Sequence, residues 1–441
     1  MKHRRSLLIV GMLSCFSIIQ SAQYAGEALF VHDLSLYVPL SNSILNQLNQ
    51  LAAPFQKTAK YKKSSTKKLP LFAQFPKLKD KIPYITLCNL PTPVVKLSNL
   101  SDFLQVKEIV IKRDDMAGLV LKDGKRLFGG TKLRKLGFEF GQALENGAKS
   151  ILTSGSAGSN HAVATAACAQ YLDLKSFSLL KPQPNSRVVR RNLLLMDYYG
   201  SQIQYCPSME VRKMGAVYTF FRQKEDFGDF PYIIPPGATC PMGLIGIVNA
   251  AYELKEQIKN GQLSEPDRIY VPAGTLGTYV GLLLGCKIAD IKSKVVGVLV
   301  MPDMKPDSTR KLIVQLFNQT SLLLHQFDSS FPALKLDESQ IEMLFDYRGT
   351  EYGLFTKEGV DALNVLKDKE GIMLDGTYTA KAFAGMLDDI KKNNYHDKRI
   401  LFWNTFYADD CQSILALDAY KNLPKALHSY FQTDVQPLDK N

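Results

Sequence analysis

The feature that most constrains the fold is an alternation of strand-like and helix-like segments that begins at Val106. Strands that alternate with helices form right-handed βαβ units, in which the strands are parallel. The sequence therefore predicts an α/β protein with mainly parallel, twisted sheets flanked by helices, and it contains no internal repeat. We predict strands at residues 109–112, 150–153, 176–180, 202–205, 232–234, 268–271, 295–300, 372–374 and 400–403.

A glycine pair and a lysine stand at the start of one helical pattern, where residues 129–136 read GGTKLRKL. A catalytic lysine needs a neutral amine near neutral pH, and burial or a neighbouring cation lowers its pKa. Arg134 and Lys135 are close enough in sequence to contribute, and the glycines let the backbone approach a ring closely. Lysine is usually a solvated surface residue, so Lys132 needs a second signal.

The second signal follows at residues 153–161, which read TSGSAGSNH between a strand-like run and an alanine-rich helix. The first amides of a helix have no partner within it, and together with the helix dipole they favour an anion. Taken alone, this stretch is equally explained by an ordinary Ser or Asn cap. Together, the two stretches predict a carbonyl cofactor held by a lysine Schiff base, with a substrate carboxylate at a helix N-terminus.

In this order and spacing, the two stretches resemble the pyridoxal-phosphate enzymes of fold type II, the tryptophan synthase β fold. The branch is that of D-cysteine desulfhydrase and 1-aminocyclopropane-1-carboxylate deaminase, which carries GGNKxRKL and a Ser-Asn-His or Ser-Asn-Gln turn. The resemblance runs from about Leu69 to about Tyr407. Its further landmarks are LPTP at 90–93, IKRDD at 111–115, NLLL at 192–195, Gly200, Pro236, Gly237, Pro241, Gly243, GTLGT at 274–278, Tyr352, Gly353, Glu358, Gly359, Leu374, Asp375, Tyr378 and Lys381.

The resemblance implies two domains with pyridoxal 5'-phosphate in the cleft between them. Carried onto this chain, it places a small domain at residues 135–241. Residues 69–134 and 242–441 then form the large, cofactor-binding domain. It also implies a small-molecule amino-acid substrate and a homodimer.

The resemblance assigns roles to residues around the cofactor. Lys132 forms the Schiff base and moves the substrate α-proton. Asn160 donates a hydrogen bond to the ring oxygen of the cofactor. Ser159, with the amides of Asn160 and His161, binds the substrate carboxylate. The phosphate lies on a glycine and threonine loop that opens a helix, made of Gly274, Thr275, Leu276, Gly277 and Thr278.

Three more residues have implied roles at the ring. Tyr352 and Tyr378 match two tyrosines on the substrate side of the ring, which makes them candidate catalytic residues. In a mixed sequence, a tyrosine is usually an amphipathic core residue. Thr405 matches the residue whose hydroxyl faces the pyridine nitrogen. A hydroxyl there leaves that nitrogen largely unprotonated, which suits the elimination of a β-leaving group.

Two positions separate the activities of this branch. The cyclopropane deaminases carry glutamate at the position of Thr379 and glutamine at that of His161, whereas the desulfhydrases match both residues of this chain. The resemblance therefore favours a lyase that converts a D-amino acid with a β-leaving group to pyruvate and ammonia, with sulfide from D-cysteine. 1-Aminocyclopropane-1-carboxylate deaminase is the weaker alternative.

The chain also departs from the pattern beside the cofactor. Thr131 replaces an asparagine, residues 404–407 read NTFY instead of HTGG, and residues 376–377 read GT instead of PV. Two aromatic side chains in place of glycines narrow or reshape the pocket. This leaves open a protein that binds the cofactor with little or no catalysis, and, as the plainest alternative, an α/β protein without a cofactor.

The N-terminus has the pattern of an export signal, with MKHRR followed by an apolar run at residues 7–19 and then small residues. We predict a secretory signal peptide at residues 1–25 and a periplasmic or secreted protein. The run is short for a membrane span, but an imperfect cleavage pattern leaves an uncleaved membrane anchor as the alternative. Residues 26–68 form an extension of unassigned function, which ends in a lysine-rich stretch at 57–68 that we predict to be an exposed linker.

Charge and cysteine content exclude other classes. The formal net charge is +12, but residues 1–68 contribute +7 of it, so the main body is only mildly basic and no nucleic-acid partner is predicted. The seven cysteines form no Cys-x-x-Cys pair, and no metal site is predicted. The six cysteines beyond the signal lie mostly in apolar contexts and are predicted to be buried thiols, with disulfides as the alternative.

Overall fold

The computed structural model describes residues 48, 49, 52, 69–407, 411 and 418–440. The predicted signal peptide at 1–25 and the predicted linker at 57–68 lie outside the described residues. The prediction of an α/β fold with mainly parallel sheets is confirmed, because within the described ranges the strands form two sheets of this kind.

The larger sheet has six strands in the order β1-β2-β10-β7-β8-β9. All neighbours are parallel except β1, which pairs antiparallel to β2 at one edge. The smaller sheet has four parallel strands in the order β5-β4-β3-β6. The strands are β1 Val94–Lys96, β2 Glu108–Arg113, β3 Ser150–Ser156, β4 Lys175–Lys181, β5 Ser201–Tyr205, β6 Tyr232–Ile234, β7 Arg268–Ala273, β8 Lys294–Leu299, β9 Glu342–Leu344 and β10 Arg399–Asn404.

Helices connect the parallel strands, as crossovers between parallel neighbours require. They are α1 Pro70–Gln74, α2 Pro76–Lys81, α3 Ser98–Leu104, α4 Lys132–Glu145, α5 Asn160–Tyr171, α6 Arg187–Tyr198, α7 Met209–Phe227, α8 Pro241–Lys259, α9 Gly277–Ile288, α10 Pro306–Phe327, α11 Lys357–Glu370, α12 Thr379–Lys392 and α13 Ser429–Gln432. No helix in the described ranges is long and apolar enough to cross a membrane.

The predicted strand at residues 372–374 is wrong. These residues are extended and Ile372 and Leu374 are buried, but no neighbouring strand pairs with them. The alternating burial that suggested a strand arises because both side chains pack into the core beside α12. The other predicted strands are present, and β1 and β9, each of three residues, were not predicted.

Both faces of the larger sheet are covered. In β7, Ile269 and Val271 join one hydrophobic core while Tyr270, between them, joins the core on the opposite face. Strands buried on both faces read as continuous apolar runs, which is why the central strands were recognisable from sequence. The loops that follow β7 and β10 then leave the same edge of the sheet, because parallel strands end together.

The smaller sheet has an additional contact with the N-terminal extension. The side-chain amide of Asn49 donates to the Ile233 carbonyl (2.8 Å) and accepts from the Ile233 amide (2.8 Å). These are the backbone groups that edge strand β6 would otherwise leave unpaired. Leu48 and Ala52 are buried in the same core as Ile233. This part of the extension therefore packs as an integral piece of the sheet.

The cysteines and acidic residues give no sign of a metal or of disulfides in the parts of the chain that the structure describes. No group of three His, Cys, Asp or Glu side chains lies close enough together to hold a metal ion. The six described cysteines are all free thiols, and five of them are buried. The domain boundaries predicted at 134/135 and 241/242 stay a prediction.

Candidate active site

Lys132 is the first residue of α4, and the turn before it lies against the end of β10. Gly130 has a φ of +54°, and a methyl group built on it would lie 2.8 Å from the Thr405 carbonyl oxygen and 2.7 Å from that of Phe406. Only glycine fits this conformation and this close approach. The predicted lysine and the predicted ring-facing residue Thr405 are therefore neighbours.

The surroundings of Lys132 favour a neutral amine. Burial lowers the pKa of Lys132, and the nearby Asp375 carboxylate only partly opposes this effect. One turn along α4, the pKa of Lys135 is lowered well below its usual value by burial and then by Lys132 itself. These two lysines, with no ion pair to any described carboxylate, place two amines beside each other on one face of α4.

Helix α9 begins at Gly277, within the predicted phosphate loop. Leu276 precedes it with a φ of +69°, and no side chain caps the first amides of the helix. A methyl group built on Gly277 would lie 2.8 Å from the Thr239 hydroxyl and 3.2 Å from Lys135 Nζ. Uncapped amides, a helix dipole and a buried lysine at one point form a candidate anion site for a phosphate.

Lys135 was not predicted as a binding residue, although its position gives a signal that could have found it. It lies three residues after Lys132, so both side chains leave the same face of α4. Its ammonium donates to the Gly237 carbonyl, in the Pro-Gly turn that follows β6. Thr275 and Thr239 also join this turn to the phosphate loop, with their hydroxyls 2.7 Å apart.

The predicted carboxylate turn is built as expected from an N-cap. Ser159 Oγ accepts from the Ala162 amide at 3.2 Å, so its hydroxyl already caps α5. Asn160 Oδ1 accepts from Asn192 Nδ2 at 2.9 Å. This contact fixes the orientation of the Asn160 amide and leaves its NH₂ group as a donor toward the site.

His161 is buried and neutral. Thr153 Oγ1 donates to the Ile234 carbonyl at 2.9 Å, so at 3.1 Å from His161 Nε2 it must accept. Nε2 therefore carries a proton, and Nδ1 has no hydrogen-bond partner among the described residues. Burial, then Lys135 and Lys132, lower the pKa of His161 well below its usual value.

Tyr352 and Tyr378 face each other, with their hydroxyls in a hydrogen bond and their rings 6.1 Å apart. Burial raises the pKa of both phenols, that of Tyr378 well above its ordinary value. A methyl group built on Gly274 would lie 2.9 Å from the Tyr378 ring, so this ring covers the start of the phosphate loop. The Lys181 ammonium lies 5.6 Å from the centre of the Tyr352 ring.

Asp375 holds the turn that presents Tyr378. Its Oδ1 accepts from the amides of Thr377 (3.0 Å) and Tyr378 (2.7 Å), and its Oδ2 accepts from the Thr379 hydroxyl (2.8 Å). This carboxylate is also the one whose charge acts on Lys132. The hydroxyl of Thr379, the position that separates the two activities, is thus committed to the turn.

The aromatic residues that replace glycines at 406–407 contact a neighbouring loop. Tyr407 donates from its hydroxyl to the Arg126 carbonyl (3.0 Å), and its ring lies 4.3 Å from that of Phe128. The Arg191 guanidinium lies 5.7 Å from the Phe406 ring. These aromatic side chains therefore lie between this loop and α6.

Among the described residues, the buried polar atoms without a hydrogen-bond partner include Thr131 Oγ1, His161 Nδ1 and Asn404 Nδ2. Folded proteins leave few such atoms, because each costs about 1–3 kcal/mol. All three lie in stretches that sequence analysis singled out, at 129–136, 153–161 and 404–407. With the anion site at α9, they fit a cofactor that carries a phosphate and polar ring substituents.

A fully paired ion network, which sequence analysis did not predict, lies beside the lysine turn. Arg134 donates to Asp114 (2.7 Å) and to Glu253 (2.9 Å), and Lys112 donates to Glu253 (2.6 Å). Trp403 Nε1 donates to Asp114 at 2.8 Å. Burial alone would raise the pKa of Glu253, but Arg134 and Lys112 lower it to about 2. The network joins β2, α4, α8 and β10, the elements that place the lysine turn.

Comparison with known proteins identifies the family of this chain. The family described as pyridoxal-phosphate dependent enzyme matches residues 85–405. D-cysteine desulfhydrase of Serratia proteamaculans (strain 568) is 32% identical over 339 residues, which cover 76% of this chain and 94% of the relative. D-cysteine desulfhydrase of Salmonella choleraesuis (strain SC-B67) is 31% identical over 330 residues, which cover 74% of this chain and 94% of the relative.

Two solved structures share the fold. A crystal structure of an ACC deaminase homologue has a TM-score of 0.63 at 29% identity and covers 78% of this chain and 95% of its own. A fungal L-serine ammonia-lyase from Rhizomucor miehei has a TM-score of 0.51 at 15% identity and covers 77% of this chain and 99% of its own. The second likeness concerns the fold alone.

Proposed function

Because this chain belongs to the pyridoxal-phosphate-dependent enzymes of fold type II, we propose that it eliminates the β-substituent of a D-amino acid. The chain is a pyridoxal-phosphate-dependent lyase. The proposed products are pyruvate and ammonia, with sulfide when the substrate is D-cysteine. The relatives named D-cysteine desulfhydrase support this choice of substrate.

The observation that carries the proposal is a continuous set of contacts from the lysine to the tyrosine pair. Lys132 lies within the field of Asp375, and Asp375 holds the Tyr378 turn. Tyr378 in turn covers Gly274 at the phosphate loop. A base, an anion site and a pair of phenols are therefore linked through neighbouring residues, and β-elimination uses this set of groups.

The cofactor contacts follow from the residues at this candidate site. Lys135 and the first amides of α9 would hold the phosphate, Asn160 the ring oxygen and Thr405 the ring nitrogen. Lys132 would hold the carbonyl carbon. When bound, pyridoxal phosphate supplies an electron sink for the negative charge that develops at the substrate Cα.

The residues of the chain would move protons at two atoms. The Lys132 amine, whose pKa is lowered by burial, removes the α-proton. The Tyr352–Tyr378 pair donates a proton to the leaving group, because both phenols stay protonated at neutral pH. The first amides of α5, after Ser159, hold the substrate carboxylate.

The test is release of sulfide and pyruvate from D-cysteine and from L-cysteine by the full chain supplied with pyridoxal phosphate. We expect turnover of the D-isomer and its loss in Lys132→Ala. Lys125→Ala, at an exposed lysine nearby, is the matched control and should keep full activity. Pyruvate from L-cysteine alone would contradict the proposed stereochemistry.

Two other outcomes have a supporting observation. The ACC deaminase homologue favours a ring-opening deaminase, which would form 2-oxobutyrate from 1-aminocyclopropane-1-carboxylate. Thr379 argues against it, because the deaminases carry glutamate at this position and the Thr379 hydroxyl is held by Asp375. The aromatic residues at 406–407 favour a cofactor-binding protein without turnover, which would bind pyridoxal phosphate and process no D- or L-amino acid.

The proposal includes export through residues 1–25 and a homodimer, as the sequence pattern and the resemblance imply. Cell fractionation with a protease-protection assay tests export, and it separates a cleaved signal from a membrane anchor. Light scattering of the purified chain tests the dimer.

A further inference from the structure

The chain beyond the family match reaches back to the candidate site. That match ends at residue 405, and the structure describes residues 418–440 after it. Within them, residues 429–440, which we name the C-terminal strap, contact two loops that are far apart in sequence. The first is the loop at residues 182–186 between β4 and α6, together with the first turn of α6, and the second is the loop at residues 353–355, directly after Tyr352.

The contact with the first loop is made almost entirely by hydrogen bonds to backbone. The Tyr430 hydroxyl accepts from the Gln183 amide and donates to the Gln183 carbonyl, each at 3.0 Å. Asn185 Nδ2 and Arg190 Nε both donate to the Tyr430 carbonyl at 2.8 Å. Arg190 also donates to the Thr433 carbonyl at 2.6 Å. This number of paired groups fixes the strap on the loop.

The contact with the second loop is made by one side chain. Gln436, 7% exposed, donates from Nε2 to the Gly353 carbonyl (3.1 Å) and accepts at Oε1 from the Phe355 amide (2.6 Å). Its own amide donates to the Asn185 carbonyl at 3.0 Å. Gln436 therefore joins the two loops directly. Its side-chain amide pairs with the backbone on both sides of Leu354.

The first loop also contacts the predicted carboxylate turn. Gln183 Oε1 accepts from the Gly158 amide at 3.0 Å, and a methyl group built on Gly353 would lie 2.9 Å from Gln183 Nε2. The backbone of Gly353 has a φ of +86°, a conformation that glycine adopts with little restraint. The Gly353 backbone therefore has little conformational restraint of its own, and the Gln436 side chain pairs its carbonyl and the Phe355 amide.

We propose that Gln436 is a positioning residue for Tyr352, and that the C-terminal strap completes the substrate side of the site from outside the family core. It acts by holding the backbone after Tyr352, so that the phenol reaches Tyr378. The inference rests on the proposed function only in placing Tyr352 on the substrate side.

The experiment compares Gln436→Leu with Gln432→Leu in the full chain. Gln432 is an exposed glutamine of the same strap and serves as the matched control. Hydrogen exchange of a peptide that spans residues 353–355 reports on the clamp without any need for activity. We expect the Phe355 amide to exchange at least tenfold faster in Gln436→Leu and unchanged in Gln432→Leu, because only the first loses its acceptor.

The second arm measures turnover of D-cysteine. We expect kcat/KM to fall about tenfold in Gln436→Leu, with the absorbance of bound cofactor unchanged. Tyr352→Phe combined with Gln436→Leu should be no worse than Tyr352→Phe alone, because Gln436 acts through that hydroxyl. Gln436→Glu, which keeps the acceptor for Phe355, should lose less than Gln436→Leu and provides a second variant if the latter folds poorly.

Three results would overturn the proposal. Unchanged exchange at Phe355 would show that Gln436 does not hold the loop. Faster exchange with unchanged kcat/KM, or additive losses in the double variant, would show a structural role only. If the unaltered chain does not process D-cysteine, the proposed function fails by itself, and the exchange result decides whether the strap holds the loop.

Discussion

Helix α4 carries two basic residues, two positions apart, that differ in the number of their hydrogen-bonding partners. Arg134 has a hydrogen-bond acceptor for each of its three guanidinium nitrogens, on Asp114, Glu253 and Thr92. Lys132 has no ion pair with any carboxylate that the structure describes, and its neighbourhood contains the unpartnered atoms of Thr131 and Asn404. Both side chains are shielded from water, but only Arg134 has all of its hydrogen-bonding partners.

The difference separates the group that positions from the group that reacts. A buried charged group whose partners are all present holds the secondary-structure elements that it joins in one arrangement. Its pKa shifts so that the group stays charged at neutral pH. A buried lysine without a partner keeps a lowered pKa and is available to a ligand. We infer that the network around Arg134 fixes the turn on which Lys132 depends, and four predictions test this division.

The largest expected effect is on activity at Lys132. Lys132→Ala should lower kcat/KM for D-cysteine by at least about 10³-fold, because it removes both the cofactor linkage and the base. The same change should alter the free energy of unfolding of the cofactor-free chain by less than about 1 kcal/mol, since no ion pair is lost. Urea denaturation of that form is the check, and a loss comparable to that of an Arg134 variant would break the comparison.

The network should show the opposite behaviour. Glu253→Gln leaves Arg134 and Lys112 without their shared carboxylate, and we expect the free energy of unfolding to fall by about 3–5 kcal/mol. Lys357→Ala is the control, because its partner Asp361 is an exposed i,i+4 residue, and such pairs contribute about 0.5 kcal/mol or less. Equal losses of unfolding free energy in the two variants would mean that the buried network stabilises the fold no more than an exposed ion pair does.

A pH titration sharpens the same contrast. The folded-state pKa of Glu253 is about 2, below its ordinary value of 4.5. A carboxyl whose pKa is depressed on folding contributes stability above its unfolded pKa and loses it as the pH falls. The unfolding free energy should therefore drop by about 3 kcal/mol between pH 4.5 and 2 on account of this group. Glu253→Gln should flatten the profile in that window, and an unchanged slope would assign the acid sensitivity to other carboxyls.

The strands that could be predicted from the sequence are those buried on both faces of a sheet. Central strands such as β7 and β8 are apolar on both faces and were recognised. The edge strands β1 and β9 have three residues each and are half-exposed or exposed, so they carry no continuous pattern. The segment at 372–374 shows the converse, because alternating burial alone does not create a partner strand.

The site was predictable where its residues are close in sequence. The Lys132 and Asn160 stretches each contain their own turn and helix start, so local patterns reveal them. The pairs that complete the site join distant positions: Arg134 and Glu253 are 119 residues apart, and Gln436 and Gly353 are 83 apart. No local spacing marks such pairs, since either partner alone reads as an ordinary polar residue.

The smallest expected effect concerns a satisfied contact far from the lysine turn. Asn49 pairs both backbone groups of Ile233, and the next residue, Ile234, accepts from the Thr153 hydroxyl that also contacts His161. If paired polar groups position and unpaired ones react, Asn49→Ala should lower the free energy of unfolding by about 1–2 kcal/mol and change kcat/KM by less than about threefold. Asn364→Ala, at an exposed asparagine within α11, makes the same side-chain change at a solvated helical position and serves as the reference. Thermal unfolding and steady-state kinetics on the two variants decide the point: a kinetic loss at Asn49 without a loss of stability would place the N-terminal extension in the reacting part of the molecule.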